Sequence, residues 1–171
     1  MMTIDIQEAL YLQALDYYPY DIKECIEKLQ YALSAGNNHA GTHYLLGRIY
    51  DEQAKDYTKA MYHYKMALSI DHLFTPTYIC YAGLLIDIEE YDEAVRVIDI
   101  GLNIKGTDKA VLYFLKGILF ENYEMYTTAK DYFKKAKLKA LNNTFFYFID
   151  GELKRIKEKR KQIKTKKKSK K

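Results

Sequence analysis

Three stretches of the chain superimpose at a period of 34 to 35 residues: THYLLGRIYDEQAKDYTKAMYHYKMALSI, PTYICYAGLLIDIEEYDEAVRVIDIGLNI and VLYFLKGILFENYEMYTTAKDYFKKAKLKA. Small residues align at Gly47, Ala82 and Gly117, and the large Tyr50, Leu85 and Phe120 follow three positions later. Further columns are Tyr57, Tyr91 and Tyr126, then Ala60, Ala94 and Ala129, then Tyr64, Ile98 and Phe133, then Ala67, Gly101 and Ala136. A unit of this length cannot bury its apolar face alone and must stack on its neighbours. Two antiparallel helices approach closely only where one side chain is nearly absent, and large residues fill the space beside that crossing.

Apolar residues recur at three and four positions through most of the length. With only two Pro and eight Gly, breakers are scarce, which predicts helix almost throughout. Short polar turns, QAKDYTKA, IEEYDEA and NYEMYTTA, separate the two helices of each unit. Thr75 before Pro76 predicts a helix start, and Gly106 before Thr107 and Asp108 predicts a helix end followed by new caps. Stepping the second-helix columns upstream by one period meets Ile22, Cys25, Leu29 and Ala32, all apolar or small. A first, degenerate repeat is therefore expected. Its opening helix, about Thr3 to Tyr17, has no small residue in register, DYYPYD makes a longer turn, and Asp21 with Glu24 reads as a capping box.

After Asn142, Asn143 and Thr144, the segment TFFYFIDGELKRIKEK places Phe145, Phe148, Ile149, Leu153 and Ile156 on one stripe. It predicts a helix covering the end of the last repeat. The expected layout is a repeat domain over 1–158, with units at about 1–38, 40–74, 75–108 and 109–143 and a capping helix at 144–158. A Lys-rich tail over 159–171 follows, disordered beyond about Gln162 because lysines without apolar partners cannot offset the entropy of ordering.

Over roughly residues 40 to 141 these columns resemble the tetratricopeptide repeat family, whose unit is a helix-turn-helix with small residues at these points. The aromatic early in the first helix is His43, Tyr78 and Tyr113 rather than Trp, and the proline that often closes the unit is missing. The resemblance implies an all-α, right-handed superhelical stack of hairpins with a C-terminal capping helix. It also implies a non-enzymatic adaptor whose first helices line a concave groove for a peptide or helix of a partner protein. By offset from the small-residue column, the groove residues are Tyr44, Arg48 and Asp51, then Ile79, Gly83 and Ile86, then Phe114, Ile118 and Glu121. The alternative is that these side chains pack against the capping helix or a neighbouring hairpin. Relatives that grip a C-terminal carboxylate use Lys and Asn from successive first helices. Here the matching positions are Tyr44, Arg48, Ile79 and Gly83, so only Arg48 is suited to such a clamp.

The net charge of +4 hides a split: residues 154–171 hold twelve Lys or Arg and one acid, a charge of +11, which leaves −7 on the remainder. Lys159, Arg160, Lys161, Lys164, Lys166, Lys167 and Lys168 are candidates for contact with RNA or an anionic surface, unspecific in sequence because no aromatics are interleaved. An RNA- or ribosome-associated factor docking through this tail is thus a second reading. A homo-oligomer built through Ile149, Leu153, Ile156 and Ile163 is a third, so a monomer or weak homodimer is expected.

No glycine-rich phosphate loop, nucleophile elbow or Ser, His and Asp set occurs, so no catalytic residue, cofactor or enzymatic activity is expected. His39 and His43 stand four apart with no acid or third histidine at a recognised spacing; they are expected to pack rather than to hold a metal. Cys25 and Cys80 are too few for a disulfide framework and suit a reducing, cytoplasmic setting. The 18 tyrosines are expected mainly to pack, with hydroxyls reaching a rim; Tyr50, Tyr57, Tyr64, Tyr78, Tyr91, Tyr113 and Tyr126 fall in core or turn columns. The opening MMTIDIQEAL carries acids where a signal peptide has Lys or Arg, and the longest apolar run, Thr77 to Leu85, is far short of the roughly 20 residues that span a bilayer.

Overall fold

The computed structural model describes residues 5–36 and 38–168, and all regular structure among them is helical. The helices are α1 (Ile6–Tyr17), α2 (Ile22–Ala35), α3 (Ala40–Arg48), α4 (Tyr57–Ile70), α5 (Pro76–Asp87), α6 (Tyr91–Asn103), α7 (Lys109–Asn122), α8 (Tyr126–Lys139) and α9 (Asn143–Lys168). Two compact units divide them, the first ending at Leu84 and the second beginning at Leu85, within α5.

In the first unit α1 pairs with α2 and α3 with α4. Tyr11, Ala14, Cys25, Leu29, Leu45, Leu46 and Ile49 form one buried cluster. Of the upstream columns, Cys25 and Leu29 are fully buried, and Ala32 nearly so. Ala14, a small residue outside that register, is fully buried in the same cluster. Asp21 caps α2 by accepting the Glu24 N–H at 3.1 Å, one half of the expected capping box; the Asp21 N–H donates to the Tyr17 carbonyl at 2.8 Å instead.

The first and second helices of a unit meet where the columns predicted. A Cβ built on Gly47 would lie 2.6 Å from Tyr64 Cδ1, and one built on Gly117 would lie 2.6 Å from Phe133 Cδ1. Ala82, in the same column, is fully buried. The ring of the second helix therefore rests on bare backbone of the first.

One feature was not expected. α3 continues from Ile49 to Ala54 as a π-helical turn. From Gly47 to Tyr57 there is one residue more than from Ala82 to Tyr91 or from Gly117 to Tyr126. A π turn is the way a helix absorbs a single inserted residue without shifting what lies on either side. The connection after it matches the others: Lys55, Glu89 and Glu124, each two residues before the second helix, all adopt positive φ (54°, 63° and 57°).

In the second unit α7 packs on α6 and α8, and α8 on α9. Asp108 caps α7, accepting from the Ala110 and Val111 N–H groups, after Gly106 at φ 91°. Ile149 and Ile156 of α9 are fully buried among Ala129, Phe133 and Ala136, with Phe114, Ile118, Phe145 and Leu153 packed around them. Of the stripe read from the sequence, all but Phe148, which is 52% exposed, is thus spent inside the chain.

The expected break at residue 158 has no counterpart in the secondary structure, because α9 is one helix to Lys168. Past Glu158 it is held by Lys159 on Glu121, by Lys161 on Glu158 at 2.9 Å, by Thr165 Oγ1 donating to the Lys161 carbonyl, and by the half-buried Ile163. These contacts supply what lysines alone would not. Residues 169–171 of the predicted tail lie outside the described residues, as do the side chains of Lys164, Lys166, Lys167 and Lys168.

Candidate functional site

Helix geometry places residues four apart on one face, so the first helix of each repeat presents a row of side chains on the side away from its partner helix. In the first unit this row begins with Tyr44 and Arg48. The Arg48 guanidinium donates to both Glu52 oxygens at 2.7 and 3.1 Å, and its Cζ lies 4.6 Å from the centre of the Tyr18 ring and 5.9 Å from that of Tyr44. The Tyr18 hydroxyl donates to Glu52 as well. Burial works against the Arg48 charge, but the Glu52 hydrogen bond together with the electrostatic pull of Tyr44, Tyr18 and Glu52 outweighs it and raises the Arg48 pKa. Burial likewise works against the Glu52 carboxylate, and Arg48 and Tyr18 overcome it to hold its pKa below the ordinary value.

The Tyr44 hydroxyl lies 3.7 Å from Cys80 Sγ, and its ring packs on Phe74 with centroids 5.4 Å apart. Desolvation pushes the Cys80 thiol pKa upward, which keeps it a neutral packing group. Asp51 accepts from the Tyr64 hydroxyl at 3.4 Å, so it turns toward the hairpin interior. Ile79 is half-buried. At Gly83 no heavy atom of the described residues outside its own helical surroundings would lie within 4 Å of an added Cβ, which leaves open space over bare backbone. Ile86, expected in the groove, is 5% exposed and belongs to the core.

In the second unit the same row is occupied. The Phe114 ring contacts those of Phe133, Phe145 and Phe148, with centroids 5.4 to 5.7 Å apart. Ile118 packs into the cluster beneath α9. Glu121, 8% exposed, accepts from Arg155 Nη1, from Arg155 Nη2 at 2.6 Å and from Lys159 Nζ at 2.7 Å. Burial alone would raise the Glu121 pKa; the two cations reverse that and lower it. The alternative weighed for these three residues, packing against the capping helix, is what the structure shows.

Of the tail candidates, Lys159 is committed to Glu121 and Lys161 to Glu158, while Arg160 and Ile163 line a cleft of about 380 Å³ beside Tyr126 and Thr127.

The histidines work as packing and capping groups. His39 Nδ1 accepts the Thr42 N–H at 3.0 Å, which leaves its proton on Nε2 to donate to Glu8 at 2.7 Å. His43 Nδ1 meets His63 Nδ1 at 3.0 Å, a pairing the sequence did not signal, and His63 stacks on Tyr50. Desolvation, then the His43 charge, lower the His63 pKa to about 4.

No protein-family model and no curated protein matches this sequence. Solved structures do match its fold. A structure of Pseudomonas aeruginosa pilF superimposes with a TM-score of 0.81 at 18% identity, over 92% of this chain and 70% of that one. PilW, a widely conserved type IV pilus biogenesis factor, gives 0.71 at 18% identity over 78% of this chain and 62% of its own. MamA from Desulfovibrio magneticus RS-1 gives 0.68 at 15% identity, over 98% of each chain. These neighbours are tetratricopeptide-repeat proteins. Built of hairpins whose small and large columns interlock as the repeat requires, the chain has the tetratricopeptide-repeat fold.

Proposed function

We propose that the chain is a non-enzymatic interaction scaffold that holds a helical or extended segment of a partner protein against the first-helix face of its first unit. Tyr44, Arg48, Ile79 and Gly83 carry that contact. The observation behind this reading is α9 itself: on α7 an amphipathic helix already lies across the equivalent row, its apolar stripe on Phe114 and Ile118 and its basic pair on Glu121. That is the helix-in-groove mode of recognition, made within one chain. The bare backbone at Gly83 leaves space for a guest side chain, and Tyr44 and Arg48 offer an aromatic face and a charge beside it.

The test is copurification of the full chain from its native cell, quantified by mass spectrometry against two variants, Ile79→Glu with Gly83→Leu, and a truncation after Lys159. The truncation keeps Arg155 and Lys159 on Glu121 and removes most of the basic end. Proteins lost from the first variant and kept by the second, with helicity unchanged in both, support the scaffold. Loss of all binding only on truncation, with a steep salt dependence, replaces it with a polyanion-docking role for the basic end.

A further inference from the structure

The turn between α8 and α9 is an apolar knuckle with nothing over it among the described residues. Leu138 is 83% exposed, Leu141 is fully exposed and Tyr147 is 70% exposed. Phe146 joins them, its ring 5.6 Å from that of Tyr147 and sharing a shallow depression with Leu138, Lys134 and Lys137. Single exposed leucines are ordinary on protein surfaces; four large apolar residues converging on one turn are not.

Lysines surround the knuckle. Lys134 and Lys137 flank Leu138, with Lys137 Nζ 4.4 Å from the centre of the Phe146 ring. Lys139 and Lys109 line the hollow that holds Leu141, and neither has an acidic partner among the described residues. The acids nearby are engaged: Asp131 with Lys134, Asp150 with Lys137 and Lys154, and Asp108 with the first turn of α7. Among these groups Lys109, Lys134, Lys137, Lys139 and Lys154 outnumber Asp108, Asp131 and Asp150, so the net charge around the apolar tip is positive.

From this juxtaposition we propose that the α8–α9 turn docks the protein on an anionic lipid bilayer, with Leu138, Leu141 and Tyr147 entering the headgroup boundary and Lys109, Lys134 and Lys139 resting on acidic phospholipid. The tip is exposed and offers only shallow hollows, whereas a protein partner held by leucines needs a groove or a flat face to exclude water. A bilayer accepts a projecting apolar tip, and its anionic surface matches the ring of lysines. This site stands apart from Tyr44, Arg48, Ile79 and Gly83, and its success or failure leaves the scaffold reading where it was.

The test uses the full chain in sedimentation with phosphatidylcholine vesicles, with and without phosphatidylglycerol. Binding is expected only to the acidic vesicles. Leu138→Glu with Leu141→Glu, and separately Lys134→Glu with Lys139→Glu, should weaken it roughly tenfold or more. Lys161→Glu at the far end of α9 should leave it within twofold. Because the chain has no Trp, Leu141→Trp supplies a single indole whose emission should shift to the blue on acidic vesicles. The exposed positions make misfolding of these variants unexpected, and far-UV circular dichroism checks it. Wild-type binding by the Leu138 and Leu141 double variant, no blue shift, equal binding to both vesicle types, or retention of polyuridine instead of vesicles would each overturn the proposal.

Discussion

Gly117 of α7 lies so close under the Phe133 ring of α8 that a Cβ there would come within 2.6 Å of ring carbon Cδ1, and Gly47 stands in the same relation to Tyr64. The ring and the missing side chain are one structural unit, repeated in both places. Gly47→Ala and Gly117→Ala should each destabilise by about 1–3 kcal/mol through overpacking, because the displaced ring is fully buried. Gly83→Ala meets open space and should stabilise by up to about 1 kcal/mol through helix propensity. Urea denaturation of the three variants measures both signs.

Lys55, Glu89 and Glu124 occupy the left-handed region at equivalent turns, where a side chain carries a steric cost that glycine avoids. Glu89→Gly and Glu124→Gly should each raise stability by about 0.5–1 kcal/mol. Thermal melts of the single and double variants test this, and the double variant measures the coupling carried between the two turns by Tyr91 and Tyr123, whose ring centroids lie 5.1 Å apart.

The grip of Arg155 and Lys159 on Glu121 fastens α9. Since the folded pKa of Glu121 is depressed, its contribution is fully present above the unfolded value near 4.5 and is lost as pH falls through the lower folded value. Hydrogen exchange of residues 143–163 should therefore quicken in acid before that of α1 and α2 does. Glu121→Gln should reproduce the loosening at neutral pH, at a cost of about 1–3 kcal/mol.

His63 titrates with the same sign for another reason. Burial first, and then the neighbouring His43, depress its folded pKa to about 4 from 6.5, so the unfolded chain takes up a proton that the folded chain refuses. Nothing changes above about pH 6.5; below it stability should decline steadily toward pH 4. His63→Asn should flatten that slope, as read from melting temperatures across the window.

Much of this fold was legible because the columns that define it are contacts: Gly47 with Tyr64 and Gly117 with Phe133 were aligned in sequence before they were seen to touch. The π turn at Ile49–Ala54 was legible too, as one extra residue between Gly47 and Tyr57, although a column-by-column reading passes over such an offset. The candidate groove was harder to read. Offsets along a helix give the face on which Phe114, Ile118 and Glu121 lie, and say nothing of what comes back to cover it from 30 or more residues downstream. Ile86 failed for a related reason, since burial at the edge of a face depends on neighbours that period alone does not reveal. The pairing of His43 with His63 joins two helices at positions that belong to no shared column.

During synthesis the aromatic side of α7 stays bare until Ile156 and Lys159 have emerged from the ribosome. A chain that stops short, or is nicked in the turn before α9, would present Phe114, Ile118 and Phe133 to chaperones and proteases as the mark of an unfinished product.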